Sequence, residues 1–245
     1  MTERSALTND AGIPRQIVLV EDETALRDNY ILALSKAGFD VSGFADAESA
    51  LTAVRARLPD LAIIDIGLGR DSEAGFALCR VLREISARLP IIFLSARDSE
   101  LDIISGLRLG ADDYLTKDIS LAQLTVRVNS LLRRVDAFAL PDTESSVKKV
   151  GHLELHQDRL AARWRDQPVE LTVTEFWIVD CLARNPGQVR SRPQLMDAAN
   201  IVLDDQTITA HIKRIRAKFV ALDDTFSSIQ TVYALGYRWM DELLY

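Results

Sequence analysis

Three short apolar segments recur along the first half of the chain, at a spacing that restricts the possible folds. They are Gln16–Val20, Leu61–Ile64 and residues 90–94, and most of their residues are Ile, Leu or Val. Parallel strands that are buried on both faces need such a composition. Weaker strands fit residues 39–44 and 113–116, and amphipathic helical segments fit residues 24–37, 47–58, 76–88, 100–109 and 120–134. This alternation of five strands with helices predicts a doubly wound α/β domain.

Composition excludes several classes of protein. No apolar run approaches the roughly 20 residues that a membrane-spanning helix needs, and residues 1–14 lack the apolar core of a signal peptide. Cys79 and Cys181 lie far apart, so neither a disulfide framework nor a zinc site is expected. The net charge of −7 argues against bulk binding of polyanions. We therefore expect a cytoplasmic protein with no membrane partner.

Polar side chains follow the predicted strands at the points where these strands end. Glu21 and Asp22 follow the first strand, Asp65 follows the third, Ser95 closes the fourth and Lys117 follows the fifth. Ligands of doubly wound sheets bind outside the carboxyl ends of the strands, so these side chains are expected to meet. Three converging carboxylates repel one another unless a cation or protons intervene. Mg²⁺ held by carboxylates and phosphate oxygens fits this set.

The chemistry that such a site supports is phosphoryl transfer. Asp65 can act as a carboxylate nucleophile and form an aspartyl-phosphate. Mg²⁺ on Glu21, Asp22 and Asp65 would neutralise charge on the transferred phosphoryl oxygens. Lys117 could pair with one phosphoryl oxygen, and the Ser95 hydroxyl could donate a hydrogen bond to another.

Four segments carry a resemblance to a known family: Val20-Glu-Asp-Glu23, Ile64-Asp-Ile66, Leu94-Ser-Ala96 and Gly110-Ala-Asp-Asp-Tyr-Leu-Thr-Lys117. Together they resemble the receiver domain of bacterial response regulators over residues 16–134. The resemblance implies a flavodoxin-like fold and no enzymatic activity beyond the receiver's own phosphotransfer and slow dephosphorylation. It also implies Asp65 as phosphoacceptor, Glu21, Asp22 and the Gly67 carbonyl as metal ligands, Lys117 as a catalytic residue, and Ser95 with Tyr114 as a switch pair.

Two departures from the family pattern flank this site. The segment after Asp65 lacks the usual proline and is longer, and Asp118 follows Lys117 where the family has a cis-proline. A cis bond to a non-proline residue costs about 3 kcal/mol, so the bond after Lys117 is expected to be trans or strained. These departures motivate an alternative, a DNA-binding regulator whose receiver is a phosphorylation-independent dimerisation module. A flavodoxin-like enzyme is a second rival, but no Walker A loop or G-x-G-x-x-G is present.

The second half predicts a separate domain. A polar, turn-rich run at residues 140–146 is the best linker, which divides the chain into a tail (1–15), a receiver (16–136), a linker (137–148) and a DNA-binding domain (149–241). Short antiparallel strands are predicted at residues 149–155, 160–165 and 168–171. Three helices follow, of which two begin at the capping boxes Thr172-Val-Thr-Glu175 and Ser191-Arg-Pro-Gln194. This order predicts an α+β winged helix-turn-helix.

The third of these helices is basic and amphipathic. Ile208, Ile212, Ile215 and Phe219 form one apolar stripe at helical spacing. The opposite face is predicted to carry Gln206, Ala210, Lys213, Arg214 and Ala217, flanked by Thr207, Thr209 and Arg216. In a major groove, Arg214 and Gln206 would reach base edges while Thr207, Thr209, Lys213 and Arg216 contact phosphates. A merely solvated basic face is the plainer alternative, and the two preceding helices and the hairpin at 229–239 argue against it.

A second resemblance covers residues 149–239. The segments Leu171-Thr-Val-Thr-Glu-Phe176, Ser191-Arg192, 207–216, Thr231-Val232 and Gly236-Tyr-Arg238 resemble the winged-helix domain of OmpR/PhoB-type regulators. It implies promoter DNA, a sensor histidine kinase and RNA polymerase as partners, and adds His211, Tyr233 and Arg238 to the DNA contacts. Gln206 and Tyr233 stand where the family usually has arginine. Some phrases, such as Gly67-Leu-Gly69, also resemble the regulator of a proteobacterial dedicated sortase system.

The receiver resemblance further implies a homodimer on activation. Such receivers pair through their last two helices and the strand between them. The corresponding residues are Ile104 and Leu107 as apolar contacts, and Asp112 or Asp113 opposing Arg127 and Arg134. Ile103 and Gln123 replace one charged pair of the family pattern. A symmetric dimer with a weakened polar rim is therefore expected.

Overall fold

The computed structural model describes residues 8, 12–96, 106, 109–136, 147–199 and 205–241. The chain divides into two compact units, Met1–Ala139 and Leu140–Tyr245. Among these described residues, no helix combines the length and the apolar character that crossing a bilayer requires. The bounds predicted for the linker fall mostly outside the described residues and stay a prediction.

The first unit contains a parallel sheet of five strands in the order β2-β1-β3-β4-β5. The strands are β1 (Gln16–Val20), β2 (Asp40–Phe44), β3 (Leu61–Ile64), β4 (Ile91–Ser95) and β5 (Asp113–Thr116). Every residue of β3 and β4 is buried, which explains why all of them except Ser95, at the end of β4, are apolar. This strand order is that of flavodoxin-like sheets and confirms the predicted fold class.

Four described helices accompany this sheet. They are α1 (Thr24–Lys36), α2 (Ala47–Ala56), α3 (Ala74–Ile85) and α4 (Leu121–Asp136). The Asp46 carboxylate caps α2 by accepting a hydrogen bond from the Ser49 amide at 2.8 Å. The helix predicted at residues 100–109 lies outside the described residues, except that Gly106 and Leu109 are helical.

A buried ion pair joins α3 to the segment that leads into β5. Arg83 Nη2 lies 2.7 Å from the Oδ2 atom of Asp112, whose side chain is 0% exposed. The same guanidinium donates to the carbonyls of Gly110 at 2.8 Å and Ala87 at 3.0 Å. Asp112 Oδ2 also accepts a hydrogen bond from the Ile91 amide at 3.0 Å. The Asp112 side chain therefore forms its contacts inside its own domain. This corrects the prediction that it lies on a dimer surface.

The second unit begins with an antiparallel sheet of four strands. They are β6 (Val147–Val150), β7 (Leu153–His156), β8 (Ala161–Trp164) and β9 (Gln167–Val169). The single strand predicted at residues 149–155 is in fact a hairpin of β6 and β7. Gly151 has φ +56 at the turn, a left-handed conformation that glycine adopts without a steric penalty.

Three helices and a second hairpin complete this unit. They are α5 (Val173–Ala183), α6 (Arg192–Ala198), α7 (Asp205–Val220), β10 (Ile229–Val232) and β11 (Gly236–Trp239). Both predicted capping boxes are present, with Thr172 and Glu175 at the start of α5 and Ser191 and Gln194 at the start of α6. The helices and the wing hairpin confirm the winged-helix prediction.

Candidate functional site

The polar side chains at the carboxyl edge of the parallel sheet meet, as their positions at the strand ends predict. Lys117 Nζ donates hydrogen bonds to Asp65 Oδ2 at 2.7 Å and to Glu21 Oε1 at 2.8 Å. One carboxylate oxygen from each of Glu21, Asp22 and Asp65 lies within 4.8 Å of the others. The geometry is that of a small acidic site with one ammonium group at its edge.

The charges of this site favour a divalent cation. Three carboxylates and one ammonium leave two formal negative charges. Burial raises the pKa of Glu21, an effect that its hydrogen bond with Lys117 opposes and the charge of Asp65 reinforces. Burial lowers the pKa of Lys117, but its hydrogen bonds to Asp65 and Glu21 outweigh burial and raise it above the usual value.

One buried oxygen of the site forms an ion pair but no hydrogen bond within the described part of the chain. Glu21 is 1% exposed, and its Oε2 atom lies 2.7 Å from Lys117 Nζ without hydrogen-bond geometry. None of the described residues donates to this oxygen. A hard cation accepts such an oxygen as a ligand, so the residues fit Mg²⁺.

The segment after Asp65 closes as a compact turn. The amides and carbonyls of Leu68 and Asp71 bond to each other at 3.0 and 3.2 Å. Between them, Gly69 has φ +64, and its amide donates to Asp22 Oδ2 at 2.9 Å. A Cβ atom on Gly75 would lie 2.1 Å from the carbonyl oxygen of Asp65, so only glycine fits beneath the predicted phosphoacceptor.

Ser95 and Tyr114 lie on the adjacent strands β4 and β5. The Ser95 carbonyl accepts a hydrogen bond from the Lys117 amide at 2.8 Å. The Tyr114 ring is fully buried and meets the Phe93 ring edge-on, with 6.3 Å between the centroids. The peptide bond between Lys117 and Asp118 is trans, because the described residues contain no cis bond.

Helix α7 buries two stripes of side chains where the sequence predicts one. The predicted stripe is confirmed: Ile208, Ile212, Ile215 and Phe219 are at most 1% exposed. A second stripe packs beside it and consists of Thr207, His211, Arg214 and Lys218. Thr207 and His211 are 1% and 0% exposed, and Arg214 and Lys218 turn toward α5.

Glu175, a buried carboxylate on α5, forms ion pairs with two residues of this second stripe. Arg214 Nε lies 2.5 Å from Glu175 Oε1, and Lys218 Nζ lies 2.6 Å from Oε2. The Thr172 amide also donates to Oε2, at 2.8 Å. Burial raises the pKa of Glu175, but the charges of Arg214 and Lys218 outweigh burial and bring it to about 2. The network therefore holds a charged Glu175 in the interior.

This packing corrects the exposed face predicted for α7. Ala210 is 5% exposed and the Arg214 side chain 13%, so neither lies on an open face. Thr209, Lys213 and Ala217 are the exposed residues of the helix middle, and the Gln206 side chain lies outside the described residues. The i, i+4 spacing of Arg214 and Lys218 opposite a capping-box glutamate is the signal that could have shown this.

The wing hairpin is attached to α7 through Arg216. The guanidinium of Arg216 donates to the Ile229 carbonyl at 2.8 and 3.1 Å and to the Thr231 hydroxyl at 3.0 Å. Arg192, which the sequence reasoning missed, lies over the Tyr237 ring at 5.5 Å, and Arg216 lies over the same ring at 5.8 Å. These cations lie beside the wing, close to the exposed face of α7.

The two remaining predicted wing residues differ in their surroundings. Tyr233 at the tip is 95% exposed. Arg238 donates from Nε and Nη2 to the Gln230 side chain at 3.2 and 3.0 Å. The tip of the wing therefore exposes the aromatic ring of Tyr233, whereas the guanidinium of Arg238 already donates to the Gln230 side chain within the hairpin.

The residues predicted for a dimer interface are only partly described. Ile104 and Leu107 lie outside the described residues. Asp113 is 5% exposed, and burial, opposed by the charges of Arg127 and Arg134, raises its pKa to about 6. Arg134 has two buried nitrogen atoms, Nε and Nη1, without a hydrogen-bond acceptor among the described residues.

Comparison with known proteins agrees with both halves of this structure. Residues 17–129 match the family model of the response regulator receiver domain. Residues 166–239 match the model of the C-terminal domain of transcriptional regulatory proteins. A solved structure of a RitR mutant has the same fold, with a TM-score of 0.73 over 93% of this chain and 99% of that chain at 19% identity.

Full-length relatives extend the match across both domains. The transcriptional regulatory protein CreB of Escherichia coli K12 is 40% identical over 89% of this chain and 95% of its own length. The phosphate regulon regulator PhoB of Rhizobium meliloti is 37% identical over 91% and 97%. The chain belongs to the OmpR/PhoB family of response regulators, transcription factors in which a receiver domain precedes a winged-helix DNA-binding domain.

Proposed function

We propose that Asp65 accepts a phosphoryl group from a sensor histidine kinase and that this modification controls promoter binding. The observation that carries the proposal is the contact of Lys117 with both Asp65 and Glu21, at 2.7 and 2.8 Å, beside Asp22. In the transfer, a carboxylate oxygen of Asp65 forms a bond to phosphorus as the bond from phosphorus to the donor's imidazole nitrogen breaks. The released imidazole then takes up a proton.

The residues around Asp65 would bind the cation, pair with the phosphoryl group and respond to the modification. Glu21, Asp22, Asp65 and the Gly67 carbonyl would hold Mg²⁺, which supplies charge neutralisation on the phosphoryl oxygens. Lys117 already contacts Asp65 and would pair with a phosphoryl oxygen. Ser95 and Tyr114 on the neighbouring strands would re-pack in response. Slow loss of the phosphoryl group to water would be the only other reaction.

Phosphorylation of Asp65 is the first expected result. Incubating the full chain with Mg²⁺ and acetyl phosphate should add one phosphoryl group, because Asp65 is the carboxylate that Lys117 contacts beside the other two acids. Asp65→Asn should abolish the addition, whereas Asp28→Asn, at an exposed site on α1, should not. Intact mass spectrometry checks both. Undiminished modification of Asp65→Asn, or modification without a divalent cation, would contradict the assignment.

The winged-helix domain is proposed to read promoter DNA through the exposed face of α7. Lys213 and Thr209 are exposed there, and Lys213 has no ion-pair partner among the described residues. Arg216 and Tyr233 extend the surface toward the wing, which also carries Arg238. Tyr233 can stack or hydrogen-bond but cannot place a cation in a narrow minor groove, so A·T-rich flanks should matter less than in relatives that have an arginine at this position.

A comparison of two neighbouring basic residues tests this face. Lys213→Ala should weaken operator binding and reduce the slope of log K against log salt by about one, because one phosphate contact is lost. Arg214→Ala should mainly lower the thermal stability of the domain, because its guanidinium pairs with buried Glu175. Salt-titrated binding together with thermal unfolding separates the two outcomes. A changed base preference with unchanged stability in Arg214→Ala would restore the face predicted from the sequence.

We infer that the active form is a homodimer in the cytoplasm, with RNA polymerase as a further partner at the promoter. Arg127, Arg134 and Asp113 remain the polar candidates for the interface, with Ile104 and Leu107 as apolar ones. The alternative, a receiver that dimerises without phosphorylation, predicts that Asp65→Asn associates and binds DNA like the wild type. Sedimentation of both proteins with and without acetyl phosphate separates these alternatives. Likeness to the sortase-system subgroup stays a prediction.

A further inference from the structure

The turn after Asp65 is connected to the acidic site by one hydrogen bond. The Gly69 amide donates to Asp22 Oδ2 at 2.9 Å, which leaves Oδ1 of this carboxylate for another partner. Gly69 lies two residues after Gly67, so this bond also restrains the backbone that carries the Gly67 carbonyl. Asp22 and Gly67 come from different loops of the sheet edge, and the bond from Gly69 joins these loops.

The direction of the Gly69 amide depends on a backbone conformation that few residues adopt. Gly69 has φ +64, and a Cβ atom built there meets no heavy atom of the described residues within 4 Å. A Cβ atom at this position therefore overlaps none of these residues. We expect the effect of a substitution here to come from the preference of the new residue for or against a left-handed backbone.

We propose that Gly69 is a positioning residue for the divalent cation, which it serves by directing its amide at Asp22 and thereby holding the Asp22 and Gly67 ligands in one arrangement. The inference rests on the cation site of the proposed function. Ligands that are fixed in advance lose less conformational freedom on binding, so the cation binds more tightly. The turn of Leu68 and Asp71 keeps Gly69 in place through two backbone hydrogen bonds.

Two substitutions at Gly69 separate backbone conformation from side-chain size. Asparagine tolerates φ > 0, so Gly69→Asn should keep the amide on Asp22. The β-branched valine disfavours φ > 0, so Gly69→Val should leave the binding-competent conformation as a minor population. If that population falls to about one tenth, the apparent affinity for Mg²⁺ falls about tenfold. Gly12→Val is a matched control, because Gly12 has φ +73, lies outside the acidic site, and a Cβ atom built there also meets none of the described residues within 4 Å.

The experiment is a titration of the full-length chain with MgCl2, followed by amide resonances in NMR, with thermal unfolding measured in parallel. We expect wild type, Gly69→Asn and Gly12→Val to bind Mg²⁺ within about twofold of one another, and Gly69→Val to bind about tenfold more weakly. The melting temperatures of the four proteins should not follow the order of their affinities for Mg²⁺. A merely structural role of Gly69 would change the stability of Gly69→Val rather than its affinity.

The possible contrary results are distinct. Equal affinity in wild type and Gly69→Val would overturn the inference and leave the cation site standing. Equal weakening in Gly69→Asn and Gly69→Val would overturn it as well, because the side chain rather than the backbone would then be responsible. A wild type that shows no saturable Mg²⁺ binding would overturn both the inference and the cation site.

Discussion

Replacing Glu175 with alanine should lower the free energy of unfolding of the winged-helix domain by about 3–5 kcal/mol, the range for breaking a buried ion pair. Glu175 is fully buried and holds Arg214 at 2.5 Å and Lys218 at 2.6 Å. Without it, two cations whose side chains are 13% and 28% exposed lose their counter-charge. The domain should therefore melt well below the wild type.

Tryptophan fluorescence measures this effect selectively. The chain has three tryptophans, Trp164, Trp177 and Trp239, and all lie in the winged-helix unit. Urea unfolding followed by this signal reports on that unit and not on the receiver. Glu170→Gln, at an exposed position nearby, should change the free energy of unfolding by less than about 0.5 kcal/mol. A Glu175→Ala loss no larger than that of the control would show that the network contributes no stability.

The same carboxylate makes the stability of the domain depend on pH. The pKa of Glu175 is lowered from 4.5 to about 2 in the folded domain, since the charges of Arg214 and Lys218 outweigh burial. A lowered folded pKa gives stability that is fully present above the unfolded pKa and is lost as pH falls through the folded one. Between about pH 4.5 and pH 2 this contribution, on the order of 3 kcal/mol, should disappear. Glu175→Gln should lack that part of the pH dependence.

Replacing Arg83 with methionine should have a similarly large effect on the receiver domain. Arg83 forms an ion pair with Asp112, at 2.7 Å, and its removal takes this neighbouring positive charge away from a carboxylate with 0% exposure. We expect a loss of about 3–5 kcal/mol in the free energy of unfolding of the receiver. Unfolding followed by NMR signals of the two receiver tyrosines, Tyr30 and Tyr114, measures it.

Two further variants control the Arg83 experiment. Arg80→Met lies on the exposed side of the same helix and should change stability by less than about 0.5 kcal/mol. Adding Asp112→Asn to Arg83→Met should recover part of the loss, because asparagine removes the buried charge but keeps an acceptor for the Ile91 amide. If the double variant is no more stable than Arg83→Met, the buried charge of Asp112 is not the cause of the loss.

The receiver was largely predictable because four of its five strands are almost entirely buried. An unbroken run such as Leu61–Ile64 indicates a parallel strand, and the residues that follow each strand are then assigned to one sheet edge. Glu21, Asp65 and Lys117 could therefore be predicted to lie together from their positions at the strand ends alone. The same reasoning could not show that Gly69 bonds to Asp22, because turns depend on backbone angles that side-chain patterns do not report.

Helix α7 was harder to predict for a physical reason. The spacing of apolar residues identifies an apolar stripe on a helix, and the stripe that contains Ile208 and Ile212 was predicted correctly. A second stripe of polar residues is buried only because Glu175, on another helix, supplies the counter-charge for Arg214 and Lys218. Hydrophobicity alone assigns such residues to the surface. Paired charges on separate elements are therefore where the sequence reasoning failed, at Asp112 as at Arg214.

The bonds of Arg216 to the Ile229 carbonyl and the Thr231 hydroxyl join helix α7 to the wing. On the proposed DNA contacts, the helix and the wing would therefore meet DNA at two places whose separation these bonds restrain. Each inserted base pair moves the two contacted segments apart by about 3.4 Å and rotates them by about 35°. Operators for this regulator should therefore vary in base sequence much more readily than in the number of base pairs between the helix contact and the wing contact.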